Sequence, residues 1–204
     1  MGTRHLTMVV SDGKTRIAQY GQWDGYPKGQ GYTVLDFLRK QKGNFEKFKK
    51  KLENCRFIND KDQKQIDKFM KSIGSKGGWM TSDQAEKYHK AYPYMNRDNG
   101  AKILDMVLKS KGEVLLSDAT NFAADSLFCE WAYVIDFDKN VLECYGGFTT
   151  EPVGDDNRFK QFEADRENKE YYCITLLKTY ELDKLPNKRQ FVNDLEPKEV
   201  EEEV

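Results

Sequence analysis

Hydrophobic and polar residues alternate near the N-terminus, which is the pattern of a β-strand with two different faces. In residues 4–10 every second side chain from Leu6 to Val10 falls on one face, and the side chains between them fall on the other. A second β-prone run covers residues 14–20, and Asp-Gly at positions 12–13 lies between the two runs. Asp-Gly in this setting predicts a tight β-hairpin.

From residue 33 to about residue 112 the spacing of the apolar residues is that of amphipathic helices. The first predicted helix covers residues 33–54 and is broken or bent at Gly43. Three more predicted helices follow, with residue types that cap or stop helices at their ends. They run from Asn59 or Asp60 to Gly74, from Thr81 or Ser82 to Tyr92 and from Asn99 to Ser110.

After residue 127 the pattern returns to that of strands, rich in aromatic and β-branched residues. The predicted strands cover residues 128–137, 141–148 and 171–182, with a turn at 138–140, a charged helical or irregular segment at 155–169 and a short helix at 187–195. By alternation along the first of these strands, Glu130 and Asp136 share one face while Trp131 and Tyr133 share the other.

Strands in two separate parts of the chain, with helices between them, predict an α+β fold. A lone N-terminal hairpin would be only marginally stable, so we expect it to join the C-terminal strands in one mostly antiparallel sheet. The helical insertion, at about residues 33–112, would then cover one face of that sheet. We expect residues 1–195 to form a single domain and the acidic residues 196–204 to form a disordered tail.

Charge and composition exclude several classes of function. The 33 Lys and Arg residues nearly cancel the 34 Asp and Glu residues, which argues against broad binding to nucleic acid. The Lys-rich run at 40–51 is interpreted as the solvated face of a helix. No apolar run is long enough to span a membrane and no leader pattern is present, so we expect a cytoplasmic protein. The four cysteines and two histidines match no metal-binding spacing, and we expect neither a metal nor a cofactor.

Residues 19–31, called the aromatic segment below, are the most informative part of the chain. The segment combines four glycines with two tyrosines and a tryptophan, and it contains no aliphatic side chain. Rings, amides and a carboxylate on a backbone shaped by glycines are typical of a ligand pocket. Trp23 or Tyr26 would stack on a planar ligand. Hydrogen bonds to that ligand would come from Gln22, Asp24 and Gln30.

The same residues also fit a purely structural turn. In that alternative Asp24 would cap backbone amides, Gly25 would supply a positive φ and Trp23 would fill the core. The glycines at 29 and 31, just before a predicted helix, would also offer backbone amides to an anion. Their spacing matches neither the P-loop nor the Rossmann fingerprint.

The hairpin is expected to bring further polar residues to the aromatic segment, since residues near 5 and near 19 should lie close together. Arg4 would bind a phosphate or a carboxylate, and His5 would carry a proton. The side chain of Gln19 is expected to lie next to Arg4 and His5. The alternative for His5 is a half-buried strand residue that is bonded to a backbone carbonyl.

Glu130 lies in an apolar run, where a carboxylate is costly unless it is paired. Pairing with Arg4 or His5 across the sheet would satisfy Glu130 and would orient a site. The alternative is a carboxylate that is exposed to water at the edge of the sheet.

Segments near both ends of the chain also resemble a known sequence pattern. Residues 4–7 (RHLT) and 18–31 (AQYGQWDGYPKGQG) resemble the pattern of a family from bacteriophage, bacterial and fungal genomes for which no activity is established. Residues 129–136 (CEWAYVID) and the Tyr145-x-Gly147-Phe148 motif resemble the same family. The resemblance implies one site that is assembled from both chain ends. For a phage-encoded member it implies action on a small molecule of host metabolism or host immune signalling.

Two functions from different classes fit these residues. The first is a binding protein that sequesters a small molecule such as a nucleotide-type signal, with Trp23 and Tyr26 for stacking and Arg4 for phosphate. The alternative is a small hydrolase or transferase with His5 as general base, Asp24 or Glu130 as its orienting carboxylate and Arg4 as anion stabiliser. A variant of that enzyme would use Thr3 as an N-terminal nucleophile after cleavage. A third option is a partner-binding module that forms a homo-oligomer through the helical insertion.

Overall fold

The structure of the chain is a computed structural model that describes residues 2–75, 77, 79–165 and 168–196. Within these residues seven β-strands and six α-helices form, joined by short 3-10 and π-helical turns. The strands are β1 (His5–Ser11), β2 (Lys14–Gly21), β3 (Cys55–Phe57), β4 (Val114–Leu116), β5 (Trp131–Asp136), β6 (Val141–Gly146) and β7 (Thr175–Glu181). The helices are α1 (Tyr32–Gln41), α2 (Phe45–Leu52), α3 (Asp60–Ser72), α4 (Ser82–Ala91), α5 (Ile103–Lys109) and α6 (Lys188–Leu195).

Five strands form the main sheet in the order β2-β1-β5-β6-β7. Strand β1 pairs in parallel with β5, whereas the other neighbouring strands of this sheet are antiparallel. The N-terminal hairpin and the C-terminal strands therefore share one mostly antiparallel sheet. The predicted α+β fold is confirmed.

The N-terminal hairpin closes through the predicted tight turn. Asp12 and Gly13 have φ values of 57° and 67°, and a type I′ turn requires the left-handed region at both central positions. The carboxylate of Asp138 accepts hydrogen bonds from both backbone amides at 2.8 Å. This contact joins the hairpin turn to the turn between β5 and β6.

The main sheet carries a hydrophobic layer on each face, and the alternation predicted for β1 is confirmed. On one face Val9 and Tyr133 pack with side chains from α1, α2, α5 and α6. On the other face Leu6 and Met8 pack with side chains from residues 119–129, 153–162 and 173–174, which form no α-helix. The sheet is thus buried on both sides, and helices cover only one of them.

The middle of the chain differs from the prediction in two respects. Strand β3, inside the predicted helical insertion, pairs in parallel with β4 as a separate small sheet. The helix predicted from Asn99 begins instead as a 3-10 turn, Arg97–Lys102, and becomes α-helical only at Ile103. The cause is Gly100, whose φ of 46° and ψ of −137° interrupt the helix.

The C-terminal strands are shorter than their predicted runs. Strand β5 begins at Trp131 because the amides of Phe128 and Cys129 bond to the carbonyl of Asp125 in a turn. The predicted tail lies outside the described residues from position 197 onward. Among the helices of the described ranges, none combines the length and the apolar character needed to cross a membrane.

Candidate functional site at one edge of the sheet

One edge of the main sheet carries most of the residues that the sequence analysis selects. Strands β1 and β5 begin at this edge and β2 and β6 end there, since His5 pairs with both Gly21 and Trp131. Large aromatic rings with exposed surface lie close to this edge, and clustered exposed rings are typical of binding surfaces. The rings belong to Trp23, Tyr26, Phe128 and Phe148, which are 39–58% exposed. This region is called the aromatic edge below.

The aromatic segment is held in shape by its own backbone. Asp24 has a φ of 56°, so the positive φ expected at Gly25 occurs one residue earlier, and that expectation is wrong. Asp tolerates this conformation better than most residues. Gly25 is needed for space instead, because a Cβ there would lie 2.8 Å from the Cβ of His5.

The backbone amides of residues 29–31 donate hydrogen bonds to carbonyl groups of the aromatic segment itself. The amide of Gly29 donates to the carbonyl of Tyr26 at 2.9 Å, and the amide of Gln30 donates to the carbonyl of Asp24 at 2.8 Å. A Cβ at Gly29 would lie 2.2 Å from the Asp24 oxygen, so this close approach requires glycine. The expected offer of these amides to an anion is therefore wrong.

The rings of Trp23 and Tyr26 keep exposed surface. Trp23 is 50% exposed, and its Nε1 donates to the carboxylate of Asp98 at 3.0 Å. The hydroxyl of Tyr26 donates to Asp24 at 3.4 Å. The alternative in which Trp23 fills the core is wrong, and the two rings offer the surface that stacking needs.

Gln19 and Gln30 connect the segment to the turn at 93–102. The buried Gln19 donates through Nε2 to the carbonyl of Asn96 at 3.3 Å. Gln30 donates through Nε2 to the carbonyl of Trp23 at 3.2 Å, and its Oε1 accepts from the amide of Ala101 at 3.0 Å. Both side-chain amides therefore support the fold of the segment, and the ligand contacts expected of them stay predictions.

His5 is buried, and its ring lies over the backbone of Gly21. In the part of the chain that the structure describes, neither ring nitrogen has a hydrogen-bond partner, so the expected bond to a backbone carbonyl is wrong. Burial lowers the pKa of His5 to about 3, which keeps the imidazole neutral near pH 7. Neither Asp24 nor Glu130 is hydrogen-bonded to this ring, so the structure shows no carboxylate that would orient it as a base.

We expect the Cε1 proton of His5 to keep one NMR chemical shift from about pH 5 to pH 8, the range in which an accessible histidine titrates. The reason is that burial holds the pKa of His5 at about 3. The chain contains two histidines, so a His89→Asn variant leaves a single imidazole signal and makes the assignment direct. A titration midpoint inside that range would show that the ring reaches water and would contradict its placement.

Glu130 pairs with Arg4, which confirms one of the two predicted arrangements. The carboxylate accepts from the backbone amide of Arg4 at 3.0 Å, and the distance from its Oε1 to Nε of Arg4 is 3.9 Å. The guanidinium of Arg4 also lies over the ring of Phe128, 4.4 Å from its centre, in a cation–π contact. Arg4 thus lies at the aromatic edge between a carboxylate and a ring, and its Nε has no hydrogen-bond partner among the described residues.

A second arginine, Arg97, begins the turn Arg97–Lys102, which packs against β2, the strand that carries Tyr20. The hydroxyl of Tyr20 donates to the side-chain oxygen of Gln22 at 2.6 Å. Burial raises the pKa of Tyr20, while the positive charges of Arg4 and Arg97 act to lower it. Arg97 has no hydrogen bond or ion pair with any residue in the described ranges. Arg4, Tyr20, Gln22 and Arg97 are called the arginine cluster below.

A cavity of about 390 Å³ opens beside the arginine cluster. Arg97 and Asp98 line one side, so the cavity adjoins Trp23 through the hydrogen bond between Trp23 and Asp98. Trp79 also lines the cavity and is 94% exposed, which leaves both faces of its indole open. The remaining lining residues are Met80, Ala85, Tyr88, His89, Met95 and Asn96.

The far side of this cavity was not among the sites predicted from the sequence. Residues 81–92 were predicted as a helix, and α4 with its N-cap Thr81 confirms that helix, but periodicity carries no information about the cavity beside it. One signal was present: Trp79, Tyr88 and Met95 belong to a second stretch rich in aromatic residues and methionine. Arg97 gave no signal because a single cation in a turn has no pattern.

Thiol and metal chemistry receive no support from the described residues. The four cysteines are free and buried, and burial raises the pKa of Cys55 to about 12 and that of Cys129 further. Buried thiols of this kind are poor nucleophiles. In the described ranges there is no group of three or more His, Cys, Asp or Glu side chains that could hold a metal ion.

Comparison with known proteins adds no further information on function. No protein-family model matches the chain, and no curated protein or solved structure is significantly similar to it. The resemblance of the chain ends to a phage, bacterial and fungal family stays a prediction. Function is therefore inferred from the geometry of the site.

Proposed function

We propose that the protein binds a small planar anion of nucleotide type at the aromatic edge. The observation that carries the proposal is Arg97, which has no hydrogen bond or ion pair within the described chain and lines a cavity together with the exposed Trp79. Two guanidinium groups favour phosphate, and an exposed indole favours a flat ring. A molecule with a phosphate and a flat ring would place the phosphate at the arginines and the ring on the tryptophan.

The phosphate part of such a molecule would bind the arginine cluster. A guanidinium presents a planar fork of donors that fits two phosphate oxygens. Arg97 has no hydrogen bond or ion pair within the described chain. Its donors can therefore bind a phosphate without breaking such an interaction. Arg4 is only loosely paired, since its Nε lies 3.9 Å from Glu130.

The ring of the molecule would stack on Trp79 in the adjoining cavity. A volume of about 390 Å³ lies within the range of roughly 300–1,000 Å³ that is usual for small-molecule sites. Met80 and Met95 line the same cavity and supply polarisable surface that adapts to a flat ring. Trp23, half-exposed and bonded to Asp98, extends the aromatic surface toward the arginine cluster.

The structure favours binding over the hydrolase or transferase alternative. The predicted base, His5, is fully buried and has no orienting carboxylate, whereas Arg97, Trp23 and Trp79 are exposed groups of the kind that bind ligands. A protein that binds such a molecule and does not convert it would act by sequestration. That role agrees with the one that the family resemblance implies for a phage-encoded member.

We expect Arg97→Ala to weaken binding of adenosine diphosphate at least about tenfold, which corresponds to about 1.4 kcal/mol. The variant removes an unpaired guanidinium from the phosphate part of the site and breaks no hydrogen bond or ion pair in the described ranges. Isothermal titration calorimetry at low salt measures the affinity, and Arg39→Ala, an exposed arginine on α1, is the matched control. We expect the control to bind like the wild type.

Trp79→Ala tests the ring half of the same site. Base stacking is worth about 1–3 kcal/mol, and Trp79 is so exposed that its removal leaves the fold intact. Weaker binding of the diphosphate with unchanged binding of inorganic phosphate would support the proposal. A wild-type protein that takes up none of the adenosine and guanosine mono- and diphosphates would overturn it.

A further inference from the structure

We infer that the protein has a second anion site, a phosphate-binding cavity between the end of the aromatic segment and α6. The cavity has a volume of about 490 Å³. It is independent of the proposed function, because it shares no lining residue with the cavity beside Arg97. The lining residues are Lys28, Tyr32, Lys188, Arg189, Val192, Asn193 and Glu196.

Three cations, Lys28, Lys188 and Arg189, and the carboxylate of Glu196 line this cavity, so its net charge is positive even though Asp36 pairs with Lys188. Lys188 is held in place, since its Nζ lies 2.7 Å from the carboxylate of Asp36 and 4.8 Å from the centre of the Tyr32 ring. Lys28 and Arg189 have no hydrogen bond or ion pair in the described ranges. A concave surface with an excess of one charge focuses its field and attracts the opposite ion.

The N-terminus of α6 lies at one end of this cavity. Lys188 and Arg189 are the first two residues of the helix, and its first turn contains no acidic residue. The positive end of a helix dipole disfavours cations, so this placement is costly in the absence of an anion. A phosphate group in the cavity would offset the repulsion between the helix end and these side chains.

The walls of the cavity are pre-formed by packing. The hydroxyl of Tyr32 donates to the carbonyl of Lys188 at 3.2 Å, which joins α1 to the start of α6. A Cβ at Gly31 would lie 2.9 Å from the ring of Phe191 and 2.8 Å from the hydroxyl of Tyr133. Glycine thus lets α6 approach the aromatic segment closely, and a rigid cavity binds with a smaller entropic cost.

The test uses inorganic pyrophosphate as the probe and isothermal titration calorimetry on the full chain at low salt. We expect saturable binding that weakens at least tenfold in the variant Lys28→Ala/Arg189→Ala. Both side chains are exposed, so the variant should fold like the wild type, which circular dichroism checks. Lys14→Ala, an exposed cation on β2, is the matched control and should bind like the wild type.

Arg97→Ala separates this site from the site of the proposed function. Pyrophosphate binding that survives in Arg97→Ala and is lost in Lys28→Ala/Arg189→Ala would support the second site. Binding that is lost only in Arg97→Ala would overturn the second site and leave the proposed function standing. A wild-type protein without saturable pyrophosphate binding would also overturn the second site.

Discussion

Replacement of Gly21 by alanine is expected to lower the free energy of unfolding by about 3 kcal/mol, the upper part of the usual range for overpacking. A Cβ at this position would lie 1.9 Å from Cε1 of His5 and 2.6 Å from its Nδ1. The His5 ring is fully buried, so it has no free direction in which to move. Since residue 21 pairs with residue 5 at the open end of the hairpin, the strain would fall on the last pair of β1 and β2, at the aromatic edge.

Urea unfolding of Gly21→Ala measures this loss, and Gly112→Ala is the matched control. No atom lies within 4 Å of a Cβ at Gly112, so we expect a change of less than about 0.5 kcal/mol there. His5→Ala combined with Gly21→Ala should be more stable than the sum of the two single changes predicts, because the clash requires both groups. Equal stability of the two glycine variants would show that the ring does not lie over Gly21.

Replacement of Arg158 by methionine is expected to cost about 3–5 kcal/mol, because it leaves buried carboxylates without their cation. The Nε of Arg158 donates to Glu143 at 2.8 Å, and its Nη2 donates to Asp136. The side chain of Asp136 is 2% exposed and that of Glu143 is 8% exposed. Arg158 thus attaches the segment around residue 158 to β5 and β6.

The cost of Arg158→Met should depend on pH. Burial alone would raise the pKa of Asp136, but the amides of Lys139 and Asp138 and the guanidinium of Arg158 outweigh it, and the pKa lies below its ordinary value. A carboxyl group with a lowered folded-state pKa stabilises the protein above its unfolded pKa of about 3.9 and loses this effect as the pH falls. The difference between the variant and the wild type should therefore be largest near pH 7 and shrink below about pH 4.

Lys139→Met is the matched control for this prediction. Its Nζ lies 3.8 Å from the same Glu143, but the Lys139 side chain is 64% exposed. Exposed ion pairs contribute about 0–1 kcal/mol, so we expect a small effect at every pH. A loss in Arg158→Met that matches the control, or that is constant from pH 7 to pH 3, would contradict the role of the buried pairs.

Features that depend on neighbouring residues were predictable from the sequence. Asp-Gly at 12–13 requires only two positive φ angles, and the hairpin follows from them. The helix after Asn59 begins with a reciprocal pair of hydrogen bonds between Asn59 and Asp62. These residues are three positions apart, so the helix start can be recognised from the local sequence. The cost of an unpaired carboxylate in an apolar run likewise led to the prediction that Glu130 pairs with Arg4 or His5, and it pairs with Arg4.

Features that depend on distant parts of the chain were not predictable. The parallel pairing of β1 with β5 joins segments far apart in sequence, and strands β3 and β4 have three residues each, too few to show a period. The positive φ lies on Asp24, and Gly25 instead provides space for the close approach of His5, a contact between residues about 20 positions apart. Arg97 reaches Tyr20 only through the tertiary fold, so half of the candidate site had no signal in the sequence.

The central position of β1 has a consequence for synthesis of the protein in the cell. Every residue of β1 is buried in the folded chain, yet its parallel partner β5 begins about 120 residues after β1 ends. At a translation rate of about 5–20 residues per second, the ribosome needs roughly ten seconds to cover that distance. During this interval the hairpin has an unpaired strand edge and two apolar faces, which is the kind of surface that aggregates or recruits chaperones. We therefore expect that protection of this nascent hairpin before β5 emerges raises the yield of folded protein.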